Sequence, residues 1–356
     1  MSYCLKYWVI YDTITSYLLG SIHMSKTIIP DGYKSKLNLY DTQTAIGFIK
    51  NVFQHNLGLE LNLKRVTAPL FVLSETGLND GLNGENPVQF VIPSMNKQAE
   101  IVHSLAKWKR MALYQNDFYV GNGLYTDMNA VRKEETLDNI HSIYVDQWDW
   151  EKVIERTDRT LDYLKETVKS IVEAIANTSN TVKLKYPEIT YQAPDEVFFI
   201  DSQVLENLYP NLTSKEREYQ IVKDKKVVFI MRIGHNLASG MPHDLRAPDY
   251  DDWDLNGDLL YYHETLDMAI EISSMGIRVD ETSLRKQLEM KHRLEDLKYP
   301  YHQMIMNETL PLTIGGGIGQ SRLCLILLEK AHIGEVQASV WDDETIEACK
   351  DKVVLL

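Results

Sequence analysis

The stretch Thr313–Leu328, TIGGGIGQSRLCLILL, decides how the rest of the chain is read. A glycine-rich strand runs into an apolar helix, with Arg322 at the junction. Gly315, Gly316, Gly317 and Gly319 leave the backbone bare, so a flat ligand can approach it closely. Arg322 can lay its guanidinium on an aromatic base or fork to a phosphate. The same residues also fit a strand kinked by glycines ahead of a core helix. Two familiar nucleotide loops are excluded. GxGxxG fails because Gln320 and Arg322 stand where its last glycine belongs, and no GK[ST] occurs in the chain. A nucleotide bound here is held by another architecture.

The 356 residues suffice for one large α/β or α+β domain or two small ones. A 44% hydrophobic and 25% charged composition is that of an ordinary globular chain. The net charge of −14 disfavours non-specific nucleic-acid or anionic-membrane binding, so an anionic substrate needs a local cluster of Arg and Lys. Cys4, Cys324 and Cys349 are too few and too widely spaced for a disulfide framework or a thiolate metal site, and point to a reducing compartment. Ser2 offers no N-terminal thiol for glutamine hydrolysis. Residues 1–25 are apolar and aromatic but broken by Asp12 and by several Thr and Ser. Their longest clean run is too short to span a bilayer, and a single Lys6 makes a weak signal peptide. We expect them to be a dispensable leader, with Met24 as the working start and residues 26–356 as a single domain.

Along the chain, Asp41–Leu57 has a helical stripe of Ile46, Ile49, Val52 and Phe53, capped by Asp41 or Thr42 and ended by Gly58. Leu61–Ser74 and Val88–Ile92 are β-like. Asp80 lies in the turn-rich loop Glu75–Asn86, where an Asp alone commonly makes only local turn bonds. Glu100–Leu113 gathers Lys107, Lys109 and Arg110, which by themselves read as a solvated basic face. Asn116–Asp127 reads as a loop. His141–Glu151 alternates, with Ile143, Val145, Gln147 and Asp149 on one face. Polar residues following Ile and Val suit a face that is core at one end and a ligand site at the other. Lys152–Ser179 reads as a scaffold helix. Glu196–Asp201 and Lys226–Ile233 read as strands around the helix Ser214–Lys225. Leu245–Asp258 holds five Asp, either a solvated loop or oxygen ligands for a hard cation. Leu266–Val279 alternates, with Met268, Ile270 and Ile272 opposite Glu271 and Ser273. Asp280–Leu297 and His302–Asn307 read as helices and Val336–Trp341 as a closing strand.

The motifs HSLAKWKR (103–110), GLYTDMNAVR (123–132), HSIYVDQWDWE (141–151), RAPDYDDW (246–253), NGD (256–258), ISSMGIRVD (272–280) and GGGIGQSRL (315–323), in this order, resemble the ammonia-dependent asparagine synthetases, the aspartate–ammonia ligases. The similarity runs from about Tyr40 to the end of the chain. It implies an α+β fold: an antiparallel sheet flanked by helices, like the catalytic domain of class II aminoacyl-tRNA synthetases. It implies ATP and Mg²⁺ as cofactors, L-aspartate and ammonia as substrates, a homodimer in the cytoplasm, and neither nucleic acid nor membrane as partner. By resemblance, Arg132 grips the α-phosphate, while Arg322, Gly317, Gly319 and Glu271 belong to the nucleotide site. Asp258 and Glu271 hold Mg²⁺. Lys109 pairs with a substrate carboxylate, and Gln147 and Asp149 take the ammonium and a carbonyl. Ser104, Arg246, Asp251, Ser274 and Arg278 complete the aspartate pocket, and Asp80 binds and deprotonates ammonium. Compared with the family, the segment between Trp253 and Asn256, expected as a loop over the nucleotide, is shorter, and the leader has no counterpart.

Two other functions compete. An aspartyl- or asparaginyl-tRNA synthetase-like enzyme shares the adenylating core, but about forty residues before the matched region are too few for an OB-fold anticodon domain. A catalytically dead paralogue requires loss of the positions just named, and all are present.

Overall fold

The computed structural model describes residues 27–81 and 85–356, and the expected leader lies outside them. The strands are β1 (Leu63–Arg65), β2 (Phe71–Leu73), β3 (Gln89–Ile92), β4 (Lys97–Ile101), β5 (Gly123–Val131), β6 (Tyr144–Val153), β7 (Phe198–Asp201), β8 (Val227–Met231), β9 (Asp251–His263), β10 (Met268–Arg278) and β11 (Thr313–Gly319). The helices are α1 (Leu39–Leu61), α2 (Ala106–Gln115), α3 (Leu161–Lys185), α4 (Ser202–Leu208), α5 (Ser214–Lys225), α6 (Glu281–Met290), α7 (Pro300–Met306), α8 (Gln320–Leu327) and α9 (Asp343–Cys349).

Eight strands form one sheet in the order β1-β5-β6-β11-β10-β9-β8-β7, and β2-β4-β3 form a small antiparallel sheet. The large sheet is antiparallel from β5 to β8, as expected, with a parallel strand at each edge. The glycine strand β11 is central: Gly317 pairs with Asp149 of β6 on one side and Ser274 of β10 on the other. One sheet face packs on α1, α3 and α8 to form the main core, with Phe53 of α1 against Trp148 at 4.6 Å between ring centroids. Successive side chains of a strand alternate faces. The residues that alternate with this core therefore point to the other face, where the polar groups collect.

Several boundaries differ from the sequence reading for identifiable reasons. Helix α1 starts earlier, because Asn38 rather than Asp41 or Thr42 is its N-cap, and it runs through Gly58 to a left-handed Asn62. Its buried stripe is Ala45, Ile49, Phe53 and Leu57, so Ile46 and Val52 are flanks. The scaffold helix begins at Leu161, where Thr160 accepts the Tyr163 N–H, and the apolar residue Val153 belongs to β6. The expected loop Asn116–Asp127 becomes strand from Gly123 onward. Helix α6 ends at Met290. Residues 336–341 form no strand; a short 3₁₀ turn, Ile333–Glu335, precedes them. Residues 253–256 are not a loop over the site. Asp251 pairs with Arg278 and Asn256 with Gly276, so the residues between bulge within β9.

The glycines of β11 separate by face. A Cβ on Gly316 would lie 2.6 Å from the Met275 Cβ and 2.8 Å from the Ser274 carbonyl oxygen, against backbone that cannot yield. A Cβ on Gly319 would meet only the flexible Arg322 side chain, at 3.3 Å and beyond. Gly316→Ala should therefore lower the urea-unfolding free energy by about 1–3 kcal/mol. Gly319→Ala should stay within about 0.5 kcal/mol of the unaltered chain. Equal effects of the two would contradict this assignment of faces.

Candidate active site

The polar face of the sheet floors a cavity of about 370 Å³. Strand β6 supplies Gln147, Asp149 and Glu151 at the period-two spacing of one face. Gly315 and Gly317 of the neighbouring strand make room for them. A Cβ on Gly315 would collide with the Glu151 carboxylate, and one on Gly317 with Gln147 and Asp149. Part of what these glycines do is therefore to clear space for side chains of the adjacent strand.

On this floor each buried charge has a counter-charge. Lys109, reaching in from α2, lies 3.2 Å from Asp149 Oδ2 and donates to the Gly316 carbonyl at 2.8 Å. Asp149 Oδ2 also accepts the Leu105 N–H at 3.2 Å, while Asp149 Oδ1 has no partner. Arg278 forks onto Glu151 at 2.7–3.1 Å and donates to Asp251. Glu151 also accepts the Thr313 hydroxyl at 2.7 Å. Burial opposes ionisation of Glu151, but Arg278 overcomes it and holds the carboxyl below its usual range. Arg246 pairs with Asp258, leaving its Nε unpartnered.

The far end of the cavity is different. Arg132 and Arg322 face each other, and among the described residues neither has a carboxylate within ion-pair distance. Arg322 donates to the Glu271 carbonyl at 2.9 Å, and the Nε of Arg132 is buried without a partner. Burial raises the carboxyl of Asp258, and Glu271 and Asp244 raise it further, against the pull of Arg246. Burial also works against ionisation of Glu271, but Arg322, Arg246 and Lys215 prevail and keep its carboxyl low.

Thirteen of the fifteen sequence-predicted residues line this cavity: Ser104, Lys109, Arg132, Gln147, Asp149, Arg246, Asp251, Glu271, Ser274, Arg278, Gly317, Gly319 and Arg322. Ser274 arrives there through a bulge in β10 between Glu271 and Ser273. The bulge shifts the core phase from Ile270 and Ile272 to Met275 and Ile277. Ser273, placed with Glu271 in the sequence reading, donates instead to the Gly317 carbonyl. Asp80 and Asp258 stand one layer behind the wall. Asp80 accepts from the Ser104 hydroxyl at 2.5 Å and from the Ala106 and Lys107 N–H groups at 2.7 and 3.3 Å, at the N-terminus of α2. Burial pushes its carboxyl up to about 6, against the pull of Lys107.

The basic cluster of α2 is not solvated. Lys107, Lys109 and Arg110 are all buried, with Lys107 paired to Asp249 at 3.3 Å and Arg110 donating to the Pro311 and Val279 carbonyls. The five-Asp segment is likewise mostly interior: Asp249, Asp251, Asp252 and Asp258 are buried and ion-paired. Sequence reasoning missed Glu151, although it follows Gln147 and Asp149 in the same alternation. It also missed Lys215 and Tyr250, which line the cavity from elements with no local pattern pointing there.

A cavity of mixed charge on the polar face of an antiparallel sheet, floored by a glycine strand that feeds an arginine-bearing helix, defines the catalytic fold of the class II aminoacyl-tRNA synthetases. Solved structures agree. Asparaginyl-tRNA synthetase of Entamoeba histolytica in complex with asparaginyl-adenylate superposes with a TM-score of 0.63 at 14% identity, over 84% of this chain and 66% of that one. The Pyrococcus horikoshii asparaginyl-tRNA synthetase, also with asparaginyl-adenylate, gives 0.62 at 15% identity, over 83% and 68%. At such identities the likeness is one of fold. The family is set by sequence: the aspartate-ammonia ligase family model matches residues 40–353. The aspartate–ammonia ligase of Pediococcus pentosaceus is 56% identical over 92% of this chain and 98% of its own length. That of Clostridium perfringens is also 56% identical, over 94% and 100%. The chain belongs to the aspartate–ammonia ligase family.

The Glu151–Arg278 pair generates a test. Glu151→Gln leaves Arg278 with Asp251 alone and should cost about 3 kcal/mol of urea-unfolding free energy at pH 7. A carboxyl held low by its native partner stabilises the fold above its ordinary value, here 4.5, and loses that contribution as the pH falls through its folded value. The gap between variant and unaltered chain should therefore narrow as unfolding is measured below pH 4.5. A gap independent of pH would contradict the ion pair.

Proposed function

We propose that this chain joins ammonia to L-aspartate at the expense of ATP, forming L-asparagine, AMP and pyrophosphate through a β-aspartyl-adenylate. The observation that carries this reading is the 56% identity to aspartate–ammonia ligases over nearly their whole length. The charges of the cavity support it. In the first step an oxygen of the aspartate side-chain carboxylate attacks the α-phosphorus of ATP, and the bridging oxygen leaves with pyrophosphate. Arg132, with an unspent Nε, stabilises charge on the α-phosphate, and Arg322 stacks on adenine or meets the outer phosphates. Asp149 Oδ1, buried and unpartnered, accepts the substrate ammonium, with Gln147 beside it. Lys109 and the free Nε of Arg246 serve the substrate carboxylates, in a pocket completed by Ser104, Asp251, Ser274 and Arg278.

In the second step ammonium docks against Ser104, whose hydroxyl donates to Asp80. Asp80 takes up one proton, ammonia attacks the acyl carbon, the acyl carbon–oxygen bond breaks with its electron pair going to AMP, and the second proton lost from nitrogen leaves on the AMP phosphate. Asp258 and Glu271 are the candidate Mg²⁺ ligands. Their residue type fits a hard cation, and Asp258 is a buried carboxylate whose ionisation Glu271 opposes. Among the described residues no group of three or more His, Cys, Asp or Glu is arranged around a metal position. The remaining ligands would therefore come from phosphate oxygens and water. When bound, the ion neutralises phosphate charge. In the same reading residues 26–356 form one catalytic domain working as a cytoplasmic homodimer, without nucleic acid or membrane. No helix among the described residues is long and apolar enough to cross a membrane.

Incubation with aspartate, ATP, Mg²⁺ and ammonium should yield AMP and pyrophosphate. ADP and phosphate as products would overturn the mechanism. Arg132→Ala should abolish aspartate-dependent pyrophosphate–ATP exchange, whereas Asp80→Asn should keep most exchange and lose asparagine formation. With its carboxyl pushed up to about 6, Asp80 ionises only as the pH rises past that value. Asparagine formation should therefore climb through pH 6 while exchange stays flat. Full asparagine synthesis by Asp80→Asn would leave Asp80 with only its place at the start of α2.

The metal assignment has its own check. Glu271→Gln and Asp258→Asn should each raise the Mg²⁺ concentration needed for half-maximal exchange by about tenfold or abolish exchange, with circular dichroism unchanged. An unaltered Mg²⁺ dependence in both would remove them as ligands.

A further inference from the structure

One cation at the far end of the cavity has no task in the reaction as described. Lys215 stands in the first turn of α5, and its side chain lines the cavity. Its ammonium touches Glu218, one turn on, at 3.0 and 3.1 Å, and 69% of its side chain is exposed. Glu218 is buried and shared with His243 at 3.1 Å, so the carboxylate is anchored while the lysine is loosely held. The other carboxylates that face Lys215 are Glu271 from β10 and Asp244 from the segment before β9.

Its surroundings set it apart from the cations of the floor. Lys109 is committed to Asp149 and Gly316, Arg278 to Glu151 and Asp251, and Arg246 to Asp258. Arg132 and Arg322 have no carboxylate within ion-pair distance among the described residues, Lys215 holds Glu218 through an exposed side chain, and all three act on Glu271. Glu135 and Glu85 also act on Arg132, and Asp244 on Lys215, each from beyond ion-pair distance. Three cations this lightly held, all lining one cavity, fit a ligand with several negative charges close together, more than the single phosphate of AMP supplies. A lysine suits such a ligand, because its compact charge on a flexible stem can move between partners.

We propose that Lys215 leaves Glu218 to bind the β- and γ-phosphates of ATP and the departing pyrophosphate, and returns to Glu218 when pyrophosphate is released. The inference rests on the adenylating reaction proposed above. In that step the bond between the α-phosphorus and the bridging oxygen breaks, and its electron pair stays on the pyrophosphate. No proton is transferred. Lys215 stabilises the charge that accumulates there, which places it among groups that act on the leaving group rather than on aspartate.

The test separates polyphosphate from nucleoside. For Lys215→Met, the KM for pyrophosphate in exchange and the Kd for ATP should each rise about tenfold or more, the scale of one lost charge-assisted contact. Kd values for AMP and for asparagine, measured by calorimetry on the same variant, should stay within about twofold. Lys215→Arg should recover most of the pyrophosphate affinity, which a purely structural lysine at the cavity mouth would not require. Unchanged ATP and pyrophosphate affinity in Lys215→Met would overturn the assignment, as would an equal loss for AMP. A chain that showed no pyrophosphate exchange at all would sink the adenylating reaction by itself. The comparison of ATP with AMP binding would still judge Lys215.

Discussion

The structure depends on one electrostatic constraint: ionised side chains packed on a single sheet face, out of water, must each find a fixed counter-charge. An isolated buried charge costs several kcal/mol even after relaxation. Three adjacent strands meet the demand together. Strand β6 brings Asp149 and Glu151, β10 brings Arg278, and β11 between them brings almost no side chains. Any residue larger than glycine at 315 or 317 would occupy the space those carboxylates need. The bare strand and the crowded charges on its flanks are therefore one arrangement.

The neutralisation is complete on the floor and incomplete elsewhere, and the difference is where chemistry can occur. A fully paired group such as Glu151 has little left for a substrate and acts by holding shape. Asp149 Oδ1 and the Nε atoms of Arg132 and Arg246 are buried polar atoms without partners. Native interiors keep few such atoms. These three belong to residues that line one cavity, so a ligand that satisfies them gains their full hydrogen-bonding capacity.

Much of this was legible in the sequence, because strands report their faces by alternation and motifs report their order. The period-two run through Gln147 and Asp149 placed those residues correctly, and carried one step further it would have reached Glu151. What stayed hidden depends on contacts between distant segments. Lys107 and Arg110 look like a wet basic face until the segment before β9 and the Pro311 region close over them. The β10 bulge moves Ser274 to the cavity without any mark in the local pattern. Val153 fits a helical stripe as well as it fits the end of a strand, and only the Thr160 cap separates the two. Lys215 carries no signal at all, since a lysine in the first turn of a charged helix ordinarily faces solvent.

The central place of β11 bears on how the chain acquires its shape during synthesis. Strands β5 and β6 are made early and β7 to β10 later, yet in the sheet of the described residues the two groups are hydrogen-bonded to each other only through β11, which follows them all in sequence and inserts between β6 and β10. Lys109 meets the Gly316 carbonyl across 207 residues. Contacts so distant along the chain slow folding and leave strand edges open until the last partner arrives. On the ribosome the nascent protein would carry two half-sheets with unsatisfied inner edges. The closing event is the entry of a strand too poor in side chains to drive its own burial, so its capture must rest on backbone hydrogen bonds and on the apolar helix α8 that trails it.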